Sequence, residues 1–247
     1  MSVKTYKIRV VPAAKEEAFM KRWHYSRKTV PNSAVKLGCF SGPRLVGVAT
    51  FGRIINCKPI FKSHSNREGL ELNRLAMSDE APKNSESFFL MRSIKLIAKQ
   101  YGWLKFISTW ADGLRCEGGT IYKACGFHYL RKIPIGQQYL LPSGEVIHQV
   151  AFNKVYLKRH YERLKKVPGR LEKVQAVFGP EVRELQGGYQ YHYVHLLDKS
   201  LGSDFAMEPK PYEKVEKAGE RLSSSGRMPV FQTGGSGSIP TQAHKKA

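Results

Sequence analysis

The segment that decides the fold runs from residue 70 to residue 127. It contains LELNRLAM (70–77), FFLMRSIKLIAKQYG (88–102), LKFISTWADG (104–113) and GGTIYKACGF (118–127). The first piece alternates, which predicts a strand with Leu70, Leu72 and Arg74 on one side and Leu75 on the other. The second is apolar almost all round, as in a helix buried against a sheet. Two strands joined through a helix predict a parallel β–α–β unit.

A polar turn, SDEAPKNSES (78–87), precedes the predicted helix. Asn84 or Ser85 can cap this helix, and Pro82 stands where a backbone N–H is not needed. The first turn of a helix has free N–H groups and a positive dipole end. With Lys83, Ser85 and Ser87 close by, it suits a phosphate or a carboxylate. An ordinary polar turn is the simpler alternative.

A carboxylate and a tyrosine follow the second predicted strand. Asp112 stands at the end of that strand, and Tyr122 lies on a short predicted helix, four residues before Gly126. Ligands of such sheets gather at the carboxyl ends of parallel strands. We therefore expect Asp112 and the glycines before Tyr122 to lie near a ligand. An Asp112 that only caps the following helix is an equal alternative.

A strand, a turn, a long helix, a strand and a short helix with Tyr-x-x-x-Gly-Phe resemble the core of the GNAT acyltransferase fold. Finer details resemble one branch of it, the Mom family of phage DNA-modification proteins. The resemblance covers about residues 4–202 and implies an α/β (α+β) fold: a GNAT-like mixed sheet with flanking helices and extra C-terminal helices and strand. The residues that carry it are His24-Tyr25-Ser26, 70–75 (LELNRL), 81–87 (APKNSES), Ala111-Asp112, Gly119-Thr120-Ile121-Tyr122 and the closing strand 191–199, which ends in LLDK.

The resemblance also implies an activity. Members of the Mom family convert adenine in duplex DNA to N6-carbamoylmethyladenine, which shields phage DNA from host restriction enzymes. An enzyme that reaches N6 is expected to flip the adenine out of the stack, at a cost of about a few kcal/mol.

Catalytic and binding roles follow from the same resemblance. The resemblance implies that Tyr122 protonates or positions the leaving group. Asp112 is the best candidate for a base or for binding the amino group, because it is a carboxylate at a strand end close to Tyr122 in the sequence. His24 and Tyr25 join this catalytic set, although a lone histidine is more often structural. The residues placed at the donor or substrate are Ser26, Asn73, Arg74, Lys83, Asn84, Ser85, Glu86, Ser87, Gly119 and Thr120. Arg74 satisfied in an ion pair is an alternative.

The donor is where this sequence departs from its fold family. GNAT enzymes that use acyl-CoA have glycines in the pyrophosphate loop, whereas residues 82–87 (PKNSES) have no glycine and include Glu86. This disfavours acetyl-CoA. The carbamoylmethyl group is isomeric with a glycyl group, so an aminoacyl-tRNA such as glycyl-tRNA is the alternative donor to an acyl-CoA. His24, His64 and Asp112 are conceivable metal ligands, but no ligand spacing supports a metal site.

The charge points to a polyanionic partner. The formal net charge is +21, and residues 203–247 hold 7 basic and 5 acidic residues, so the first 202 residues keep +19. This favours double-stranded DNA, with tRNA as a further partner, over a generically basic protein. A polar loop (56–67) and a basic helix (154–167) are predicted to contact phosphates, with Phe61 as a stacking or wedge side chain. The candidates are Arg27, Lys28, Arg53, Lys58, Lys62, Lys158 and Arg159.

The remaining chain sets the domain boundaries. Residues 1–202 are expected to form one catalytic domain, and residues 203–247, rich in Ser, Gly and charged residues, a disordered tail. No long apolar run or signal peptide is found, and the four cysteines lack metal or disulfide spacing, which fits the cytoplasm of a bacterial host. Further elements are predicted as strands (4–11, 128–133, 138–141, 146–152 and 190–197), a hairpin (35–40 with 45–55) and helices (13–23 and 170–186, the latter broken at Gly179-Pro180).

Two other functions stay open from the sequence. The first is a GNAT acyltransferase that acts on a tRNA base or on a protein amine. The second is a DNA-binding module that has kept the fold and lost catalysis.

Overall fold

Ten strands form two sheets in the computed structural model, which describes residues 5–31, 33–113, 116, 118–185 and 187–212. The large sheet is mixed, with the order β1-β2-β3-β4-β5-β10-β6, and the small sheet has the order β8-β7-β9. This mixed sheet with flanking helices confirms the predicted fold class. The strands are β1 (Lys7–Val10), β2 (Ser33–Ser41), β3 (Arg44–Arg53), β4 (Gly69–Met77), β5 (Phe106–Asp112), β6 (His128–Pro134), β7 (Gln138–Leu140), β8 (Val146–His148), β9 (Arg183–Leu185) and β10 (Tyr189–Leu196).

Six α-helices accompany the sheets in the described part of the chain. They are α1 (Ala13–Trp23), α2 (Ser85–Gln100), α3 (Thr120–Ala124), α4 (Gln149–Phe152), α5 (Tyr161–Leu164) and α6 (Arg170–Phe178). The long helix α2 buries Phe89, Leu90 and Ile94 in the main core, but Leu96 is 37% exposed. The helix is therefore buried against the sheet as expected, although its apolar side chains are not all covered. A single face of α2 packs on the sheet.

The predicted parallel pair is β4 and β5, and it is short. Its pairing runs from Gly69 opposite Phe106 to Leu72 opposite Thr109 and ends there. A register shift between β3 and β4 at Thr50 and Phe51 inserts an extra residue into β4. A bulge of this kind reverses which side the next residues face. The predicted alternation was therefore wrong after Leu72, because Leu75 and Met77 return to the core that holds Leu70 and Leu72.

The small sheet carries its own core, built from side chains such as Tyr139, Ile147 and Leu164. Two predictions were wrong here, because residues 149–152 are helical and residues 183–185 are a strand. The predicted basic helix 154–167 is confirmed only in part, since it is broken into a π-helical turn (Asn153–Leu157) and α5. Periodicity could not separate these short elements, because each spans fewer residues than one period pattern needs.

The loop 56–67 and the chain after residue 202 pack together in a second core. Phe61 is 1% exposed and stacks on Phe205 with ring centroids 5.1 Å apart, so it is a core residue and the predicted wedge was wrong. The Tyr212 hydroxyl donates to the Phe127 carbonyl at 2.5 Å. The packed chain thus continues past the predicted boundary at residue 202, and residues 213–247 of the predicted tail lie outside the described residues. None of the described helices has the length and apolar character needed to cross a membrane.

Candidate active site

A cleft of about 620 Å³ opens where β4 and β5 separate, in the size range of small-molecule sites. It lies between the end of β4, the end of β5, the loop after α1 and the start of α3. Of the residues predicted from the sequence, its walls hold His24, Tyr25, Asn73, Arg74, Glu86, Asp112, Gly119, Thr120 and Tyr122. The structure therefore brings the four candidate catalytic side chains to one cavity. Their roles stay predictions.

Asp112 and Tyr122 are brought together by a turn with two left-handed glycines. Asp112 is 8% exposed at the end of β5, and Gly118 (φ 64°) and Gly119 (φ 85°) lead into α3. The Tyr193 hydroxyl of β10 donates to the Gly118 carbonyl, and the Tyr193 ring lies 5.4 Å from that of Tyr122. A buried tyrosine thus anchors the start of the helix that carries Tyr122.

The Tyr122 hydroxyl stays protonated at any physiological pH. Burial raises the pKa of Tyr122 far above its usual range, and a hydrogen bond with Thr109 opposes this only in part. Because the phenol keeps its proton, Tyr122 can donate a hydrogen bond or a proton but cannot serve as a base. This matches the proton-donor role implied by the sequence.

His24 is held as a neutral ring by its neighbour Ser26. The Ser26 backbone N–H donates to Nδ1 of His24 at 3.1 Å, and the Ser26 hydroxyl lies 2.8 Å from the same nitrogen. Burial, helped by the charge of Arg74, lowers the pKa of His24 to about 3. Since Nδ1 accepts, the proton sits on Nε2, so the ring offers an N–H donor. The Tyr25 ring packs 4.3 Å from the His24 ring.

Arg74 ties the β4 wall to the loop after α1. Its Nη1 donates to the Asn73 carbonyl at 2.7 Å and its Nε to the Lys28 carbonyl at 3.4 Å. The Asn73 amide donates to the Ser33 hydroxyl at 3.4 Å. Burial raises the pKa of Glu71, against the pull of Arg74. The cleft therefore holds a fixed guanidinium beside a desolvated carboxyl group.

The turn before α2 does not have the predicted cap. Asn84 adopts a left-handed conformation (φ 69°) and its side chain makes no capping bond. Ser85 is fully buried, and its hydroxyl donates to the Pro82 carbonyl at 2.6 Å. The Ser87 hydroxyl donates to the Asn84 carbonyl at 3.1 Å. Of the turn 83–87, all of which is described, Glu86 alone lines the cleft, and Lys83 points elsewhere.

The candidate nucleic-acid contacts lie outside the cleft walls given by the described residues. All seven are exposed, and Lys28 pairs at 2.5 Å with Glu145, the residue just before β8. Arg27 has a left-handed backbone (φ 51°). The others are Arg53, Lys58, Lys62, Lys158 and Arg159. Lys158 and Arg159 follow the π-helical turn of the small-sheet region.

Sequence reasoning missed several cleft residues, notably Glu71, Trp110, Cys116 and Gln190. Trp110 had a usable signal, since it lies two residues before Asp112 and shares its side of the strand. Gln190 had none, because the pairing of β10 with β5 sets its place. Among the described residues, no three His, Cys, Asp or Glu side chains converge as metal ligands.

Two solved N-acetyltransferases align with the chain at low identity. Arabidopsis thaliana NAA60 with acetyl-CoA is 11% identical, with 78% of this chain and 100% of that chain covered and a TM-score of 0.49. The Escherichia coli ribosomal-protein-S18-alanine N-acetyltransferase is 8% identical, with 78% and 94% covered and a TM-score of 0.44.

Sequence relatives are more specific. The methylcarbamoylase Mom of Escherichia phage Mu is 32% identical over 179 residues, which cover 71% of this chain and 69% of the relative. The profile of the Mom protein family matches residues 5–214. This match extends past residue 202 and includes the packed segment that ends at Tyr212. The chain belongs to the Mom protein family.

Proposed function

We propose that this protein is a DNA-modifying transferase that converts adenine N6 in duplex DNA to the carbamoylmethyl derivative and so protects phage DNA from host restriction. The observation that carries the proposal is the convergence of Asp112, Tyr122, His24 and Tyr25 in one cleft. Membership of the Mom family supports it, since the phage Mu relative is a methylcarbamoylase. The reaction would take place in the cytoplasm of the bacterial host.

Each side chain has a chemical role that its surroundings support. The N6 amino group is a weak nucleophile, and the Asp112 carboxylate is suited to bind it and to take its proton. Tyr122 keeps its proton at neutral pH, so its hydroxyl is suited to hydrogen-bond the leaving group and to pass it a proton as negative charge develops there. The Nε2–H of His24, fixed by Ser26, is suited to hydrogen-bond a carbonyl oxygen of the donor.

DNA would reach the cleft through the charged surface. A base at the bottom of a cleft must leave the duplex, and phosphate contacts on either side offset part of that cost. The candidates for these contacts are all exposed. Two lie in the small-sheet region, Lys158 and Arg159, and three lie at the end of β3 and in the loop that follows it, Arg53, Lys58 and Lys62. A tRNA donor would use part of the same positive surface.

The turn before α2 favours an aminoacyl donor over acetyl-CoA. The Ser85 hydroxyl is already bound to the Pro82 carbonyl. The residue of this turn that lines the cleft is Glu86, with its carboxylate. A carboxylate repels a pyrophosphate but pairs with an ammonium group, such as the α-amino group of glycyl-tRNA. Transfer of the glycyl group to N6 would release the tRNA 3′-hydroxyl, and rearrangement on the base would give the isomeric carbamoylmethyl group without a further reactant.

Mass spectrometry of nucleosides tests the function. Plasmid DNA from bacteria that express the protein should contain a deoxyadenosine heavier by one carbamoylmethyl group, absent when Asp112→Ala replaces the wild type. DNA that stays unmodified with wild-type protein would contradict the proposal and shift attention to tRNA or protein amines. The donor is tested with purified enzyme, DNA and charged glycyl-tRNA free of CoA. Modification by an acyl-CoA alone would refute the aminoacyl donor.

A further inference from the structure

A stacked aromatic pair, Trp110 and His192, lies on the same side of the large sheet as Asp112. The ring centroids of Trp110 and His192 are 4.0 Å apart, and the ring planes differ by 5°. The His192 ring is 3% exposed, and its Nε2 lies 2.8 Å from the Ser108 hydroxyl. Because the hydrogen bond with Ser108 fixes the orientation of the His192 ring, the stacked His192 ring fixes the plane of Trp110.

The topology decides which face of Trp110 is covered. His192 is opposite Trp110 in the β5–β10 ladder, so it covers the side toward β10. On the other side the pairing with β4 ends one residue earlier, at Leu72 opposite Thr109. Trp110 therefore has no β4 partner in the ladder, all of β4 and β5 being described. It lines the cleft instead. The Arg131 guanidinium, 5.8 Å from the Trp110 ring centroid, comes from β6 on the His192 side of β5, so we infer that the second face of the ring is the one toward the cleft.

An amide stands next to this face. Gln190 is the partner of Asp112 across the β5–β10 ladder and lines the same cleft. It lies two residues before His192, so it shares the side of the sheet with Trp110 and His192. A glutamine amide offers one acceptor and two donors, and it matches the paired acceptor and donor on an adenine edge.

We propose that Trp110 is the stacking platform for the base to be modified and that the Gln190 amide recognises the edge of that base as adenine. A base stacked on the open face of Trp110 would have its exocyclic amino group beside Asp112, the ladder partner of Gln190. The inference rests on the proposed function, since it names the part of the cleft that holds the acceptor. It assigns specificity to two residues whose side chains transfer no proton in the reaction.

The size of the effect follows from stacking. Loss of an aromatic platform weakens binding of a stacked base by about 5- to 100-fold. A phenylalanine keeps a smaller ring at the same place, so Trp110→Phe should retain most of the activity that Trp110→Leu loses. The matched control is Trp103→Leu, because Trp103 is 56% exposed and does not line the cleft.

The first test measures modified deoxyadenosine in cells. We expect Trp110→Leu to lower the modified fraction by about 10-fold or more, Trp110→Phe to rescue it and Trp103→Leu to leave it unchanged. A Trp110→Leu protein that modifies DNA as well as the wild type would overturn the inference and leave the proposed function intact.

The second test needs no catalysis. The chain has three tryptophans, so the double variant Trp23→Phe/Trp103→Phe leaves Trp110 as the sole tryptophan, whose fluorescence can be excited at wavelengths where the twelve tyrosines do not absorb. A single-stranded 13-mer of thymidines with one central adenine should quench this fluorescence more strongly than the all-thymidine 13-mer, and Gln190→Leu should abolish the difference. Equal quenching by both oligonucleotides would overturn the inference. Adenine-selective quenching without any modified DNA in cells would support the base site and contradict the proposed reaction.

Discussion

Two glycines that flank the short helix α3 allow a sharp test of how Tyr122 is positioned. Both have positive φ values, +85° at Gly119 and +70° at Gly126. A Cβ built on Gly119 would lie 2.5 Å from Cε2 of Tyr193 and 3.0 Å from Cδ2 of Tyr122, whereas one on Gly126 would meet nothing within 4 Å. The Tyr193 ring cannot retreat, because it is buried and its hydroxyl is bound to Gly118.

The magnitudes follow from these contacts. An alanine in the left-handed region costs about 1–2 kcal/mol, and this is the whole expected loss for Gly126→Ala. Gly119→Ala adds overpacking against the two tyrosines, about 1–3 kcal/mol, for a total of about 2–5 kcal/mol. For a chain of this length each kcal/mol lowers the melting temperature by roughly 2–4 °C.

Urea unfolding of both variants measures the difference, and nucleoside mass spectrometry at a temperature where both are folded measures activity. Gly119→Ala should modify less DNA than the wild type even where it is fully folded, because the added methyl group displaces the Tyr122 ring. Gly126→Ala should modify DNA at the wild-type level. Equal losses of stability in the two variants would refute the claim that the Tyr193 contact fixes the start of α3.

Three further predictions concern acid catalysis, pH and DNA. Tyr122→Phe should lower the modification rate by about 100-fold or more while DNA affinity is retained, as measured by single-turnover kinetics and filter binding. His192 has its pKa lowered to about 3 from 6.5, by burial and then by the charge of Arg131, so the unfolded state binds its proton first and stability is lost as the pH falls below 6.5. Between pH 7 and pH 5 the free energy of unfolding should fall by about 2 kcal/mol less in His192→Gln than in the wild type, as measured by urea unfolding. Removing both Lys158 and Arg159 with alanine should reduce the slope of log affinity against log salt by about 2.

Controls and contradicting outcomes differ for each case. Lys95→Ala/Lys99→Ala on the exposed side of α2 removes the same charge and should leave the salt slope unchanged. If the salt slope fell by a similar amount in both double variants, the loss would reflect total charge and not contacts made by Lys158 and Arg159. Parallel pH curves for His192→Gln and the wild type would show that the ring is not neutral in the folded state. A Tyr122→Phe enzyme with the wild-type rate would remove Tyr122 from catalysis.

Local chemistry was enough to predict the central unit. The apolar runs around residues 70 and 106 with a helix between them gave the parallel β4–α2–β5 unit, because the sequence period and the chain reach leave few other arrangements. The strand end at Asp112 and the Tyr-x-x-x-Gly-Phe motif identified two cleft residues, because each of these signals lies within a few neighbouring positions of the sequence.

The bulge in β4 could not be predicted from the sequence. The side of the sheet that Leu75 faces could therefore not be predicted either. A bulge is set by the pairing of two strands, and β3 and β4 pair only in the folded sheet. The same holds for Phe61, whose basic neighbours suggested an exposed side chain. Its burial depends on Phe205, 144 positions away along the chain.

The sequence by itself determined the parallel unit, the basic charge and the identity of Asp112 and Tyr122 as candidates, because each depends on residues that are close along the chain. The tertiary structure alone decided that β4 and β5 separate after Leu72, and that Trp110, His192 and Gln190 meet beside Asp112. These residues come from strands separated by about 80 positions of sequence. Side chains so far apart in the chain become neighbours only through hydrogen bonding of the strands, and no local pattern records that pairing.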